Sequence, residues 1–303
     1  MLKKSNLLKQ KICLKLLSTF LLMPMIACDA PDAPMGEFKA QSISIDQGIE
    51  LNLGEAQYLP TFDGIWLAYA QVSTCVDIGR SLEQMSRSLY LVQTKELASG
   101  ALEEEWDACH LELSPILSIQ TLVPPALRKS VYPVSSKMGF AVGINERKKY
   151  LSGPMIELWG LTMENPLSDP FIEDENDPRI FDQDQDGKPG GTLELGTACL
   201  AYMVQRTINY FQGEMVSADR IKGDVFSDSE QLIVDATSSL CKTRYATRAQ
   251  PRRSIFERIR IDGQGNSLNL DRDLNGKITC DEVIDAREQL FDRLPLDDQS
   301  CRN

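Results

Sequence analysis

A single histidine, His110, stands in a chain of 303 residues. That scarcity argues against most hydrolytic chemistry, because an H-E-x-x-H zinc helix needs two histidines and a Ser-His-Asp triad would have to use this one. The sequence also lacks a G-x-S-x-G elbow, a P-loop and a dinucleotide glycine fingerprint. A nucleophile pair of Cys109 with His110 is disfavoured, since adjacent residues of a strand point to opposite faces. No Cys-x-x-Cys spacing occurs, which argues against a thiolate metal site. Acidic residues are missing before Asp29, and the apolar run from Leu16 to Ala27 is shorter than the roughly 20 residues of a membrane-spanning helix. Carboxylate pairs could serve a glycosidase, yet in so acidic a chain they carry no information. Trp66, Trp106 and Trp159 could line a sugar or lipid site, but core packing is the favoured reading. No enzyme is expected, and a carboxylate-dependent hydrolase stays a remote alternative.

What is present begins with charge. The chain holds 44 acidic and 32 basic residues and carries a net charge of −12. Five of the basic residues are Lys3, Lys4, Lys9, Lys11 and Lys15, so the rest of the chain sets 27 basic against 44 acidic residues, net −17. Such a body repels nucleic acid and anionic headgroups and suits divalent cations. A hydrophobic fraction of 42% supports a substantial core, in one large domain or two smaller ones.

A basic start, a short apolar segment and a small residue before a cut describe a secretory signal over residues 1–27. Met25-Ile26-Ala27-Cys28 resembles the lipobox of bacterial lipoproteins. That resemblance implies cleavage before Cys28, acylation of Cys28, and attachment to a membrane through its lipid. Residues 28–40 would then form a lipidated tether, with Asp29 to Pro34 as a stiff polar stretch. The implied location is the cell envelope, on the periplasmic face or the outer surface. Asp29 after the lipidated cysteine is similar to the inner-membrane retention signal of enteric bacteria.

Eight cysteines occur; Cys13 would leave with the signal and Cys28 would carry lipid. The even remainder, Cys75, Cys109, Cys199, Cys241, Cys280 and Cys301, suits disulfides in an exported protein. Nearest-neighbour pairing is expected: Cys75–Cys109, Cys199–Cys241 and Cys280–Cys301.

Period-two alternation recurs over residues 41–265. It is seen at Ile43 and Ile45, at Ile49, Leu51 and Leu53, and in short stretches at Ile65–Ala70, Leu89–Val92, Phe140–Val142 and Ile156–Leu161. From Cys199 the pattern reads Ala201–Phe211, a break at Gly213, Arg220–Phe226, a Ser-Asp-Ser turn, Gln231–Ala236, and then Ile255–Ile261. The expected fold is mainly β, an antiparallel meander forming a barrel or sandwich, with a lipocalin-like barrel as one candidate. Its interior could hold a small apolar ligand, though a filled core is favoured. A helix is expected at Asp281–Leu294, stopped by Pro295, so that residues 266–303 form a loop-helix segment.

The strongest chemical signal lies in that segment. Asp271-Arg272-Asp273-Leu274-Asn275-Gly276-Lys277-Ile278-Thr279-Cys280-Asp281-Glu282 resembles an EF-hand calcium loop at every ligand position. The resemblance implies side-chain oxygens from Asp271, Asp273 and Asn275, a carbonyl from Lys277, Thr279 directly or through water, and both oxygens of Glu282. The preceding residues, with Gly263 and Gly265, read as strand and turn, so a full helix-loop-helix hand is not expected. A plainer reading makes Thr279 and Glu282 a helix-capping box and Asp271 to Gly276 an Asx-rich turn.

A second loop, Asp182-Gln183-Asp184-Gln185-Asp186-Gly187-Lys188-Pro189-Gly190, repeats the spacing with Asp182, Asp184 and Asp186. Its twelfth position is Leu193, and Pro189 removes the N–H through which paired EF loops join. It resembles the DxDxDG loops of dockerins and thrombospondin type 3 repeats, in which a remote residue completes the shell. As a set, these features are similar to uncharacterised predicted lipoproteins of large-genome delta-proteobacteria. The function expected is a membrane-anchored lipoprotein binding Ca2+ in acidic loops, with a structural or interaction role toward an envelope partner. The alternative is a carrier of a small apolar ligand.

Overall fold

Strand β1 (Gly64–Asp77) shows why this sequence makes sheet: Trp66, Ala68 and Ala70 alternate with Leu67 and Tyr69, and both sets are buried. A strand covered on both faces satisfies its backbone through its neighbours and its apolar side chains through two cores. The computed structural model describes residues 62–98, 101–131, 137–142, 148–242, 246–264 and 267–297, with Gln299 and Cys301. The chain divides into Met1–Leu51 and Asn52–Asn303, and all described residues belong to the second unit. Cys28 and the expected strands at Ile43–Leu53 lie outside the described residues.

The protein is mainly β, and every pairing between named strands is antiparallel. After β1 come β2 (Ser81–Glu96), β3 (Leu102–Leu113), β4 (Thr121–Leu122), helix α1 (Pro125–Ser130), β5 (Lys137–Val142), β6 (Lys148–Leu151) and β7 (Met155–Trp159). Then follow β8 (Gly191–Leu195), β9 (Cys199–Ser217), β10 (Arg220–Ala236), β11 (Ala246–Ala249), β12 (Ile255–Arg260) and helix α2 (Cys280–Leu290). Neighbours run β10-β12-β1-β2-β3-β5-β6-β9, and β9 also pairs with β10.

The return is narrow. β3 meets β5 only at Leu102 and Glu103, and β6 meets β9 at Lys149–Leu151. Beyond that seam, β3 has no second neighbouring strand among the described residues, so the sheet curls into a split barrel that is not closed. Leu127 of α1 packs there with Trp159 and Leu193, and against Leu111 of β3.

The interior is filled by side chains. Trp66, Trp106, Tyr150, Phe211 and Phe256 pack together, with ring centroids 4.7 Å apart for Phe211–Phe256 and 5.4 Å for Trp106–Phe211. Trp159 is also buried, so all three tryptophans are core residues. On the outer face of β1–β3 and β12, α2 lays Val283, Ala286 and the following Phe291 over Leu67, Tyr69, Leu89 and Ile259. The segment 266–303 thus belongs to the same unit as the sheet.

Three details depart from the sequence pattern. Gly213 and the Ser227-Asp228-Ser229 group are not breaks: β9 and β10 run through both, paired from Arg220↔Ser217 to Ala236↔Ala201. A long ladder satisfies each backbone group, and that outweighs a local turn preference. α2 ends at Leu290 rather than Leu294, because Phe291 turns extended and stacks on Tyr69 at 5.0 Å. Strands β4, β6, β8 and β11 and helix α1 were not among the expected elements, and of β3 only the Cys109–His110 segment read as a strand.

Gly213 and Gly223 face each other across β9 and β10. A Cβ on Gly223 would lie 1.9 Å from the Gln212 carbonyl oxygen and 2.5 Å from Gly213 Cα. Gly223→Ala is therefore expected to destabilise the fold by about 1–3 kcal/mol, the usual range for overpacking. Urea unfolding measures this directly, and an unshifted midpoint would show that the two strands can part without loss.

Candidate metal centres

The two acidic loops adopt one conformation. In each, the first aspartate receives the backbone N–H groups of positions five and six. Asp271 accepts from Asn275 at 3.0 Å and Gly276 at 2.8 Å, and Asp182 accepts from Asp186 at 3.2 Å and Gly187 at 2.8 Å. In each, the fifth side chain accepts from the lysine two residues on: Lys277 N–H to Asn275 Oδ1 at 2.7 Å, Lys188 N–H to Asp186 Oδ1 at 2.9 Å. The fourth and sixth residues are left-handed in both, with φ of 57° at Leu274 and 80° at Gly276, and 60° at Gln185 and 84° at Gly187. Leu274 and Gln185 lack glycine's freedom there, so the hydrogen-bond set, not local preference, imposes the turn.

This winding gathers oxygens. Carboxylate atoms of Asp271, Asp273 and Glu282 lie within 4.8 Å of one another, and so do those of Asp182, Asp184 and Asp186. Three hard, anionic oxygen donors at that separation fit a large divalent cation such as Ca2+.

The loops differ in what completes them. Glu282 sits at the start of α2 and forms a capping box: its Oε2 accepts from Thr279 N–H at 2.8 Å and from Thr279 Oγ1 at 2.9 Å. Its Oε1 accepts from Arg272 N–H at 2.9 Å. The N–H groups of Arg272 and Thr279 hold this carboxyl below its usual range. Glu282 therefore stays ionised at neutral pH, and its capping contribution is lost only as pH falls through that lowered value. The carboxylate that caps α2 is also one of the three gathered in this loop.

In the other loop, Thr192 plays the closing part: its N–H donates to Asp184 Oδ2 at 3.0 Å and its hydroxyl to Asp186 Oδ2 at 2.7 Å. Asp184 Oδ1 is buried and has no hydrogen-bond partner. A buried carboxylate oxygen left unpaired is costly, and a cation between the three aspartates would satisfy it. The loop is pinched at its base, where a Cβ on Gly160 would meet Gly190 Cα at 2.3 Å.

Disulfides fix the late loop to the sheet. Cys280, the first residue of α2, bonds to Cys109 of β3, Cys301 bonds to Cys75 of β1, and Cys199 bonds to Cys241. The nearest-neighbour expectation fails for Cys75–Cys109 and Cys280–Cys301 and holds for Cys199–Cys241. The reason is tertiary: α2 covers the face of β1–β3 that carries Cys109, far away in sequence. A bulge opposite Leu89 and Tyr90 also breaks the alternation in β3, so Cys109 and His110 both turn toward the α2 side. With its sulfur bonded, Cys109 offers no thiolate to His110.

Sequence reasoning missed Thr192, whose spacing matches no ligand position, and the Cys109–Cys280 anchor. It also missed that the loops fold alike, although the shared D-x-D-x-[DN]-G-K string signals it. No family model matches the chain, and neither curated proteins nor solved structures give a match to it.

Proposed function

We propose that this is an exported lipoprotein, anchored through Cys28, whose β body binds Ca2+ in the loops 182–190 and 271–282 and serves a structural or interaction role at the envelope. The observation that carries the calcium reading is the repetition of one hydrogen-bond scaffold in two loops that share spacing but little else. The unpaired Asp184 oxygen and the carboxylate-rich composition support it. The lipobox-like Met25–Cys28 and the disulfides, which persist outside the cytoplasm, support export.

Sites of this kind bind at about 10⁻⁴ to 10⁻³ M in extracellular modules, and at about 100 times the dissociation constant each contributes roughly 2.7 kcal/mol to folding. Calorimetric titration of the chain from Asp29 onward should give two Ca2+ binding events. Glu282→Gln is expected to remove one and Asp184→Asn the other, with melting no longer responsive at the affected site. Isotherms identical to the parent in both variants would sink the calcium reading. A mass spectrum of membrane-extracted protein that begins at an unacylated residue would sink the anchor.

A further inference from the structure

Between the outer face of β1–β3 and the end of α2 lies a crevice walled by Arg87, His110, Glu112, Arg287, Arg293 and the stacked ring of Tyr69. Three arginines and one carboxylate line it, in a chain whose overall balance is strongly acidic. Arg87 and Arg293 each stand 3.5 Å from Glu112, so one anion is shared between two cations. Arg87 is fixed further by Gln71 Oε1 at 3.0 Å and by the Leu294 carbonyl at 3.1 Å. It is thus held in place rather than waving in solvent.

Two buried nitrogens at this place lack an acceptor. Gln71 is fully buried beneath Tyr69 and Arg87, its Oε1 accepts from both, and its Nε2 has no partner. His110 Nε2 is likewise buried without a hydrogen bond, because the nearest Glu112 oxygen is 3.9 Å away. Native interiors rarely leave such groups unpaired without a reason. We infer that the crevice is a binding site for a phosphate group, free or as a monoester, held by Arg87, Arg287 and Arg293 with His110 as a further donor. Guanidinium forks match phosphate oxygens in pairs, and Leu89 and Phe291 give the crevice an apolar wall against which the organic part of an ester would lie.

The charge around His110 agrees. Burial and the cations Arg287, Arg128 and Arg293 hold it below its usual value, and Glu112 is the one carboxylate opposing them. The site therefore rests on groups from β1, β2, β3 and the α2 end, and it does not depend on the calcium reading.

As the sole histidine, His110 supplies one imidazole resonance, which serves as an unambiguous reporter in the full-length protein. Adding inorganic phosphate in place of chloride at constant ionic strength should shift that resonance saturably and raise its titration midpoint, since a bound anion favours imidazolium. Arg287→Gln and Arg293→Gln should each weaken the response about tenfold or more, as loss of one charge-assisted bond implies. Lys149→Gln, an exposed charge outside the crevice, should leave it unchanged. Tighter binding of phenyl phosphate would assign an ester, and equal binding the free anion. A resonance indifferent to phosphate, or one that responds equally in all three variants, would overturn the assignment.

Discussion

Replacing Glu104 by alanine should cost about 3–5 kcal/mol of folding stability, the range found when one partner of a buried ion pair is removed. Glu104 and Arg258 have fully buried side chains and meet at 2.6 Å inside the barrel. The same carboxylate accepts from Tyr150 Oη at 2.8 Å, Thr94 Oγ1 at 3.1 Å and Trp106 Nε1 at 3.2 Å. Arg258 in turn lies against the rings of Trp66, Tyr150 and Trp106, at 5.2, 4.9 and 5.7 Å. Burial works against its charge, but Glu104 and Tyr150 together outweigh that and hold its pKa above the usual value. Alanine at position 104 would take the carboxylate from the buried guanidinium, leaving it Thr94 Oγ1 at 2.7 Å, and would take the acceptor from Tyr150, Thr94 and Trp106.

The pair itself is not expected to be a net source of stability, because both ions give up their hydration to reach it. The double variant Glu104→Leu with Arg258→Met should therefore recover most of what either single change loses. Guanidinium unfolding of the two singles and the double closes this cycle. A Glu104→Ala protein within about 1 kcal/mol of the parent would mean that water or another group reaches Arg258.

The second large effect concerns the disulfide between Cys109 and Cys280, which spans 171 residues of chain. It is nested inside Cys75–Cys301, which spans 226. With the outer bridge intact, the inner one closes the shorter path through it, the 34 residues from Cys75 to Cys109 and the 21 from Cys280 to Cys301. On the chain-entropy account, opening that circuit by Cys109→Ala with Cys280→Ala should cost roughly 4 kcal/mol, with 2–5 as the observed span.

The loss should concentrate at the C-terminal segment, since Cys280 begins the helix that lays Val283 and Ala286 on the sheet. Hydrogen exchange of the amides in α2 should accelerate more than exchange in β9 and β10. Uniform acceleration across the sheet would show that the bridge supports the whole fold and not this one docking. Reduction by dithiothreitol, which opens all three bridges, should cost more than the double alanine variant, and peptide mapping of the oxidised protein should find Cys109 joined to Cys280.

Part of this architecture was legible in the residues. Alternation marked β1 and β12 because their side chains fall into two buried sets, and the Val283–Ala286 stripe with Thr279 and Glu282 marked α2. The spacing of oxygen-bearing residues marked both acidic loops, since turn chemistry is local. The first half of β3 was passed over, because Glu103, Glu104 and Glu105 follow one another where a strand usually shows one polar face. Glu104 points inward only because Arg258, from a strand 154 residues away, is there to receive it.

What the sequence determined alone is what short stretches of chain settle: strand alternation, the helix start at Thr279, and two loops whose first aspartate winds the backbone around itself. What tertiary structure decided is every relation between distant stretches. It set the passage of β9 and β10 through their turn-like residues, the exchange of cysteine partners, the buried Arg258–Glu104 pair, and the arginines assembled around His110. Those outcomes depend on which faces come to cover one another, and that is fixed by packing over the whole chain rather than by any window of it.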